Sequence, residues 1–460
     1  MRVTGHHHVM RCGRGAFAAR VLASSQPTSS SSASTSSNAR RRRRVGNTTT
    51  TTTSSGKSKN GKGSSTSGSS NSVRVTAALV TEETQTETET ETQTEETAVE
   101  YTDGRGDVSF TDGEIEDLGF TKVGKPVPYG IPMSEVLASI PKEAFEKDDA
   151  EAHKSLALTL VACTLSQVLI AVVPNWLLPV AWAIAGTAFT GFFVLAHDCG
   201  HRSFHTSKKV EDLVGNALMS PLIYPYEGWR FKHAQHHAKT NMLVEDTAWH
   251  PVVVEEMDEM SPFVRTATKV ILGTPIKFFA SILHWLKWHF DLSLYKKSEK
   301  PKVLTSILCC AAFAGVAFPL LVKYTGWFGF VKHWLMPWLG FHFWLSVFTL
   351  VHHTSPHIPF KSKEEWDPVQ AQLGGTVHCK YPKWIEVLCF DINVHVPHHL
   401  STRIPHYRLR MAYEGIKAKF GEYCNEAGFS FKLLRMLVKE PHVYKKETNY
   451  APFKDFKGRY

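Results

Sequence analysis

Read for hydropathy alone, the chain has a polar first third, followed by a region in which apolar runs alternate with charged loops. Between Lys154 and His197 lie 42 consecutive residues with no charge and no histidine. A helix needs about 20 apolar residues to cross hydrocarbon. The stretch therefore predicts two crossings, over 155–173 and 176–196, reversed at Pro174-Asn175. Two further stretches predict spans over 303–322 and 334–351, the second interrupted only by His342. Trp176, Trp327, Trp334 and Trp338 fall near the predicted ends, where an interfacial aromatic belt belongs. The apolar region Pro262 to Phe290 carries Arg265, Lys269, Lys277 and Lys287, and is assigned to helices lying in the interface, their basic side chains reaching the headgroups. Ser134 to Ser139 and Pro141 to Glu146 read as short surface helices leading to the membrane. The pattern predicts an all-α integral membrane protein with four transmembrane helices.

Composition changes this picture at the N-terminus. Residues 1–81 hold 13 Lys or Arg, including the run Arg40 to Arg44, and no Asp or Glu; Ser, Thr and Gly fill most of the rest. Such a stretch buries too little apolar surface to offset its ordering entropy. A basic, hydroxylated, acid-free leader has the composition of an organelle transit peptide. Val73-Arg74-Val75-Thr76-Ala77-Ala78 is similar to the loose pattern at which plastid transit peptides are cut, which sets residues 1–77 apart as the transit segment. Residues 78–118 read as an acidic linker in which Thr and Glu nearly alternate without an apolar face, leaving 119–460 as the membrane domain. The formal charge of +9 belongs to the leader, since the chain beyond residue 81 sums to −4. The high isoelectric point is thus no sign of nucleic-acid binding.

Histidine supplies the chemistry. Of 24 histidines, eight fall in three five-residue windows: His197 and His201; His233, His236 and His237; His395, His398 and His399. Residues three and four apart share a helix face, so each window is expected to aim its rings one way. The first window begins where the second span ends, the second lies in the following loop, and two spans separate it from the third. All three then fall on one side of the bilayer; a fifth span within Pro262 to Phe290 would undo this. Eight imidazoles exceed what a zinc site needs, and nitrogen-rich sites with open positions suit iron and oxygen chemistry. Two irons with about four histidines each is the economical reading. The eight cysteines show no Cys-x-x-Cys spacing and Cys309-Cys310 falls within a span, which argues against an iron–sulfur cluster and a disulfide framework. No Glu-x-x-His signature of soluble carboxylate-bridged bundles is present. A metal transporter is the non-enzyme alternative, since membrane histidines can line a permeation path, but only His342 stands at mid-span.

These residues carry a resemblance. His197-Asp198-Cys199-Gly200-His201, Trp229-Arg230-Phe231-Lys232-His233-Ala234-Gln235-His236-His237 and Asp391-Ile392-Asn393-Val394-His395-Val396-Pro397-His398-His399 look like the three histidine boxes of the membrane-bound fatty acyl desaturases. Ala238 to Met242 and Val351 to Phe360 are similar to the plastid omega-6 acyl-lipid type. The likeness covers roughly Gly119 to Phe453.

The resemblance implies a histidine-rich di-iron helical cap above the four spans, with the eight box histidines ligating two irons. A ninth ligand is implied at the end of the fourth span, where His353 fits best and His352 and His357 stand close. Pro397 is compatible with ligation if its helix begins near Val394. The implied reaction is O2-dependent removal of two hydrogens from adjacent methylenes of glycerolipid acyl chains, giving a second cis double bond in monounsaturated 16- and 18-carbon chains. Unactivated C–H bonds offer a side chain neither dipole nor acidic proton, so the metal centre must do this work. The chain contains no fused cytochrome b5 motif, no nucleotide glycine motif and no cluster-binding cysteines, so its electrons come from a separate protein. The resemblance implies ferredoxin, which is acidic, with Arg202, Lys208, Lys209, Arg230, Lys232 and Lys239 as candidate contacts. It also implies a chloroplast membrane, the inner envelope. A di-iron membrane hydroxylase or carotenoid-modifying oxygenase is the alternative enzyme reading.

Overall fold

The computed structural model describes residues 112–445 and 449–453. The transit segment 1–77, its cleavage pattern and nearly all of the linker 78–118 lie outside the described residues. The short helices expected near the membrane entry form at Met133–Leu137 and, as a 3-10 turn, at Lys142–Phe145.

Asp148 starts the first long helix, α1 (Asp149–Val172), its carboxylate accepting from the backbone N–H of Ala150 at 2.9 Å and of Glu151 at 3.3 Å. These donors have no partner within a first turn, and the cap satisfies them. Pro174 forces the preceding Val173 into extended backbone and ends the helix. A 3-10 turn, Asn175–Leu177, reverses the chain into α2 (Leu178–His201). Leu158, Val161, Leu165, Val168 and Val172 of α1 are exposed, an apolar outer face of the kind lipid covers. The second half of α2 is buried almost without interruption, and the helix runs past the expected end at 196 to carry the first histidine window in its own last turns. The second window lies on α3 (Tyr226–Ala238).

The region Pro262 to Phe290 forms two short helices, Pro262–Leu272 and α4 (Ser281–Trp288), joined by the 3-10 turn Pro275–Phe279. Both are far shorter than a crossing requires. Phe263, Ile276, Leu283 and Leu286 stand exposed on them.

Three helical segments are long and apolar enough to cross a membrane: Asp149–Val172, Asn175–His201 and Lys300–His353, of 24, 27 and 54 residues. The expected spans 303–322 and 334–351 lie in the third, which comprises α5 (Lys300–Phe330), a π-helical turn at Val331–Leu335, and α6 (Met336–His353). They run together because the connection between them stays helical except at Gly326, whose φ of 70° and ψ of −179° interrupt the ladder. Only glycine adopts that backbone at low cost. Phe318 of α5 nevertheless lies 4.5 Å, ring to ring, from Trp334, a contact a straight helix cannot make over 16 positions.

α2 and α6 cross at their glycines. A Cβ on Gly186 would sit 2.6 Å from the Cα of Gly340, so the backbones meet directly, as small residues allow between apolar helices. One turn on, the Trp344 indole donates to Thr187 Oγ1 at 2.8 Å. The expected aromatic belt is half there. Trp176 and Trp327 are exposed, whereas Trp334 and Trp338 turn inward and donate to the carbonyls of Pro221 and Leu222 at 2.8 and 2.7 Å. An indole N–H that leaves water needs such an acceptor.

Small sheets correct the all-α expectation. β1 (Phe120–Lys122), β2 (Val377–Lys380) and β3 (Asn425–Gly428) form a sheet in the order β1-β3-β2, antiparallel between β1 and β3 and parallel between β2 and β3. β4 (Val443–Lys445) and β5 (Asn449–Ala451) pair antiparallel. Strands of three or four residues are too short to display an alternating pattern. The larger sheet has a positioning role: Asn393 donates to the carbonyl of Cys379 in β2 at 2.8 Å, fixing the loop that leads into α7 (His395–Leu400) and the third histidine window.

Candidate metal centre

The nine histidines named from the sequence meet in two adjoining groups. In the first, one ring nitrogen from each of His197, His201, His233, His237 and His398 lies within 4.8 Å of all the others. His236, His353 and His399 do the same in the second. His395 borders the second group, its Nε2 2.9 Å from that of His353 and its ring centre 4.5 Å from that of His399. The groups touch where the rings of His237 and His399 stack at 4.2 Å.

Helix geometry explains the division. His233 and His237, four apart on α3, face the first group together, while His236 is turned about 100° from His237 and faces the second. The same angle parts His398 from His399 on α7. The expectation that each window aims all its rings one way is therefore corrected: the second and third windows each serve both groups. Val394 caps α7, so Pro397 stands in the first turn, where its missing N–H deprives no carbonyl. His353 ends α6 within the second group. His352 instead stacks on Phe348, with ring centres 5.7 Å apart and planes 4° from parallel, and His357 Nδ1 meets Ser355 Oγ at 2.7 Å.

The residues present fit metal ions. Among the described residues, Nε2 of His201 and Nε2 of His399 are buried without a hydrogen-bond partner. The Nε2 of His237 faces those of His398 and His233 at 3.0 and 3.1 Å. At that spacing one ring N–H can donate to the next ring, or a metal ion can stand between two lone pairs. Burial first, and then the neighbouring imidazoles, holds His233, His237, His395, His398 and His399 well below the usual imidazole range, so the rings stay neutral and each keeps a lone pair for a metal. Neutral imidazoles with no carboxylate or thiolate among them suit a divalent first-row metal.

Outer contacts fix the rings. His236 Nδ1 donates to Asp246 Oδ1 at 2.7 Å, and that carboxylate also accepts from the backbone of Asn241 and Ala248 at 2.9 Å each. His399 Nδ1 lies 2.8 Å from Gln372 Oε1, and Gln372 donates to the carbonyl of His237 at 2.6 Å. Asp198 Oδ1 lies 3.2 Å from His197 Nδ1, while its Oδ2 accepts from His406 Nδ1 at 2.8 Å. On His197, His236 and His399 the contact engages Nδ1 and leaves Nε2 free of it, as outer partners of metal-binding histidines do. Asp198 stood inside a named motif; Asp246, Gln372 and His406 were missed, because no spacing rule links them to the rings they hold.

A cavity of about 160 Å³ adjoins both groups. His197, His233, His236, His353 and His395 form one wall, and Phe193, Val194, Phe348, Leu350 and Ile392 give it an apolar lining.

Several basic residues expected at a docking surface are engaged elsewhere. Arg202 pairs with Asp212 at 2.6 Å and Glu211 at 3.6 Å, Arg230 with Glu227 at 2.6 Å, and Lys239 with Glu245. Lys232 is buried against Trp288. Lys208 and Lys209 remain exposed.

The chain also resembles known proteins over most of its described length. The family model described as fatty acid desaturase matches residues 174–429. The chloroplastic omega-6 fatty acid desaturase of Arabidopsis thaliana is 53% identical over 339 residues, covering 74% of this chain and 75% of its own. That of Glycine max is 53% identical over 335 residues, or 73% and 78% of the two chains. The sn-1 oleoyl-lipid 12-desaturase of Anabaena variabilis is 46% identical over 325 residues, covering 70% of this chain and 93% of its own.

Proposed function

Because the chain belongs to the fatty acid desaturase family, we propose that it introduces a second cis double bond, at the omega-6 position, into monounsaturated 16- and 18-carbon acyl chains of plastid glycerolipids. The observation that carries this reading is the wall shared by the imidazole groups and the apolar cavity. His197, His201, His233, His237 and His398 would hold one iron, and His236, His353, His399 and His395 the other. Iron held there would supply the oxidising power to break two C–H bonds, with O2 taking up two hydrogens from the substrate, two electrons from a donor and two protons from solvent to give two waters. The protein's own share is positional. Asp246, Gln372 and Asp198 keep the rings aimed, and Phe193, Val194, Phe348 and Ile392 exclude water and hold the chain in register, where a shift of one carbon changes the product.

The donor in this reading is ferredoxin, with the exposed Lys208 and Lys209 as the contacts that the internal ion pairs leave available. Four membrane crossings complete the reading, α5 and α6 forming a hairpin at Gly326. The two ends of Lys300–His353 support this: Ser306 of α5 accepts from the Glu227 N–H at the start of α3 at 3.1 Å, while His353 meets His236 further along that helix. A 54-residue segment of about 80 Å whose ends return to one helix is long enough for each half to cross about 30 Å of hydrocarbon. Residues 1–77 would direct the chain to the plastid inner envelope and be removed, followed by the acidic linker 78–118.

The test is expression in a host whose lipids contain only monoenes, with ferredoxin supplied. Dienes carrying the new bond at the omega-6 position, read by mass spectrometry, and about two irons per chain are expected. A hydroxylated product, or a bond at another position, would overturn the assignment.

A further inference from the structure

The cavity beside the imidazoles has a charged edge that the reaction does not use. Lys232 lines it and is 9% exposed. Its ammonium lies 4.4 Å from the centre of the Trp288 ring, 5.3 Å from that of Tyr295, and 3.4 Å from the Leu294 carbonyl. Lys287 on α4 places its own ammonium 3.7 Å from the same Trp288 ring. Among the described residues, neither amine has a carboxylate within ion-pairing distance, although Arg230, two positions from Lys232, is fully paired with Glu227.

An indole face attracts a cation but does not neutralise it, and two ammonium groups drawn to one ring repel each other. Burial, with the charge of Lys232 added, pushes Lys287 down to about 7, and Lys232 is itself buried. An anion seated between them would relieve both costs through charge-assisted hydrogen bonds. The setting is that of a lipid surface. Leu283 and Leu286 of α4 are exposed, and Lys296, Lys297, Lys300 and Lys302 follow within 14 residues of its end, Lys296 pairing with Glu299 at 4.0 Å, a cluster of the kind that gathers at anionic headgroups.

We propose that Lys232 and Lys287, gathered on Trp288 at the edge of the cavity, bind an anionic oxygen of a phosphate or sulfonate carried by the headgroup of the lipid whose acyl chain enters the cavity. The proposal rests on the acyl-lipid reading above and adds the headgroup class. Lys232 lines the cavity and Lys287 meets it on the Trp288 ring, so one lipid whose acyl chain enters the cavity can reach both.

The purified full chain, in detergent, is titrated with dioleoyl phosphatidylglycerol, with an uncharged dioleoyl galactolipid and with inorganic phosphate, and bound ligand is read by native mass spectrometry. The wild-type chain is expected to half-saturate at a lower concentration of phosphatidylglycerol than of galactolipid. Lys232→Gln or Lys287→Gln is expected to raise the phosphatidylglycerol value about tenfold relative to the galactolipid value. Should Lys232→Gln fail to fold, Lys287→Gln at its half-buried position gives the same readout, and Lys287→Arg is expected to retain the preference. No change in the ratio overturns the proposal. So does displacement of phosphatidylglycerol by inorganic phosphate at equal concentration, which would identify a soluble anion as the occupant. Binding is read without turnover, so a chain that prefers the anionic lipid but fails to desaturate it counts against the functional reading and not against this site.

Discussion

One carboxylate aims a ring of the second imidazole group. Asp246 accepts a hydrogen bond from His236 Nδ1 at 2.7 Å while two backbone N–H groups hold it in place, so its charge both orients the ring and strengthens Nε2 as a metal ligand. Asp246→Asn keeps the shape and removes the charge. Iron retention after dialysis against a chelator should fall about 10–100-fold, with helix content unchanged by circular dichroism. Lys277 gives a prediction of a different kind. It is fully buried, donates to the carbonyls of Leu437 and Pro441 at 2.9 and 3.2 Å, and burial pushes it down to about 7. Its folded value thus lies below the usual lysine value of about 10.4. Between these values the unfolded chain binds more protons than the folded one, so stability rises with pH. Lys277 should contribute on the order of 2 kcal/mol between pH 7 and pH 9, and Lys277→Met should flatten that rise in thermal melts. The residues legible in advance were those carrying a local signature, the histidines at helical spacing. Asp246, Gln372 and His406 act across turns or across most of the chain, where no pattern in a single sequence marks them.

At the scale of elements, the crossing of α2 and α6 is the tightest joint near the site. Gly186→Leu would drive a side chain into the Gly340 backbone and separate the helices that carry His197 and His353. Overpacking of this kind costs about 1–3 kcal/mol or more, which should show as a lowered melting temperature together with loss of iron. Gly315→Leu is the control, since a Cβ there meets nothing within 4 Å. Its effect should be small and, through helix propensity, stabilising. α1 and α2 were legible because 42 uncharged residues broken at Pro174-Asn175 leave few alternatives. The joining of α5 to α6 was not, because a lone Gly326 resembles any other helical glycine until its backbone is seen. β1, β2 and β3 were hidden by brevity and by pairing between distant segments. Trp334 and Trp338 look like membrane-surface residues by position and are interior ones by hydrogen bonding.

For the whole molecule, the metal ions would stand where three separate parts of the chain are drawn together: the α2 hairpin, α3, and the sheet-anchored α7 with the end of α6. If iron is held as proposed, its removal would take away the ion that joins rings such as His237 and His398, whose Nε2 atoms lie 3.0 Å apart. The metal-free protein should melt at lower temperature, by an amount that grows with the concentration of iron restored, and its α7 amides should exchange with deuterium faster than those of α1. Adjacent histidines of α3 and α7 point to opposite groups, so filling one group settles the turns that shape the other. Iron titrated into the stripped protein should therefore load in a single sigmoidal step, leaving few molecules with one ion, and no point substitution in either turn could convert this enzyme into a working mononuclear one.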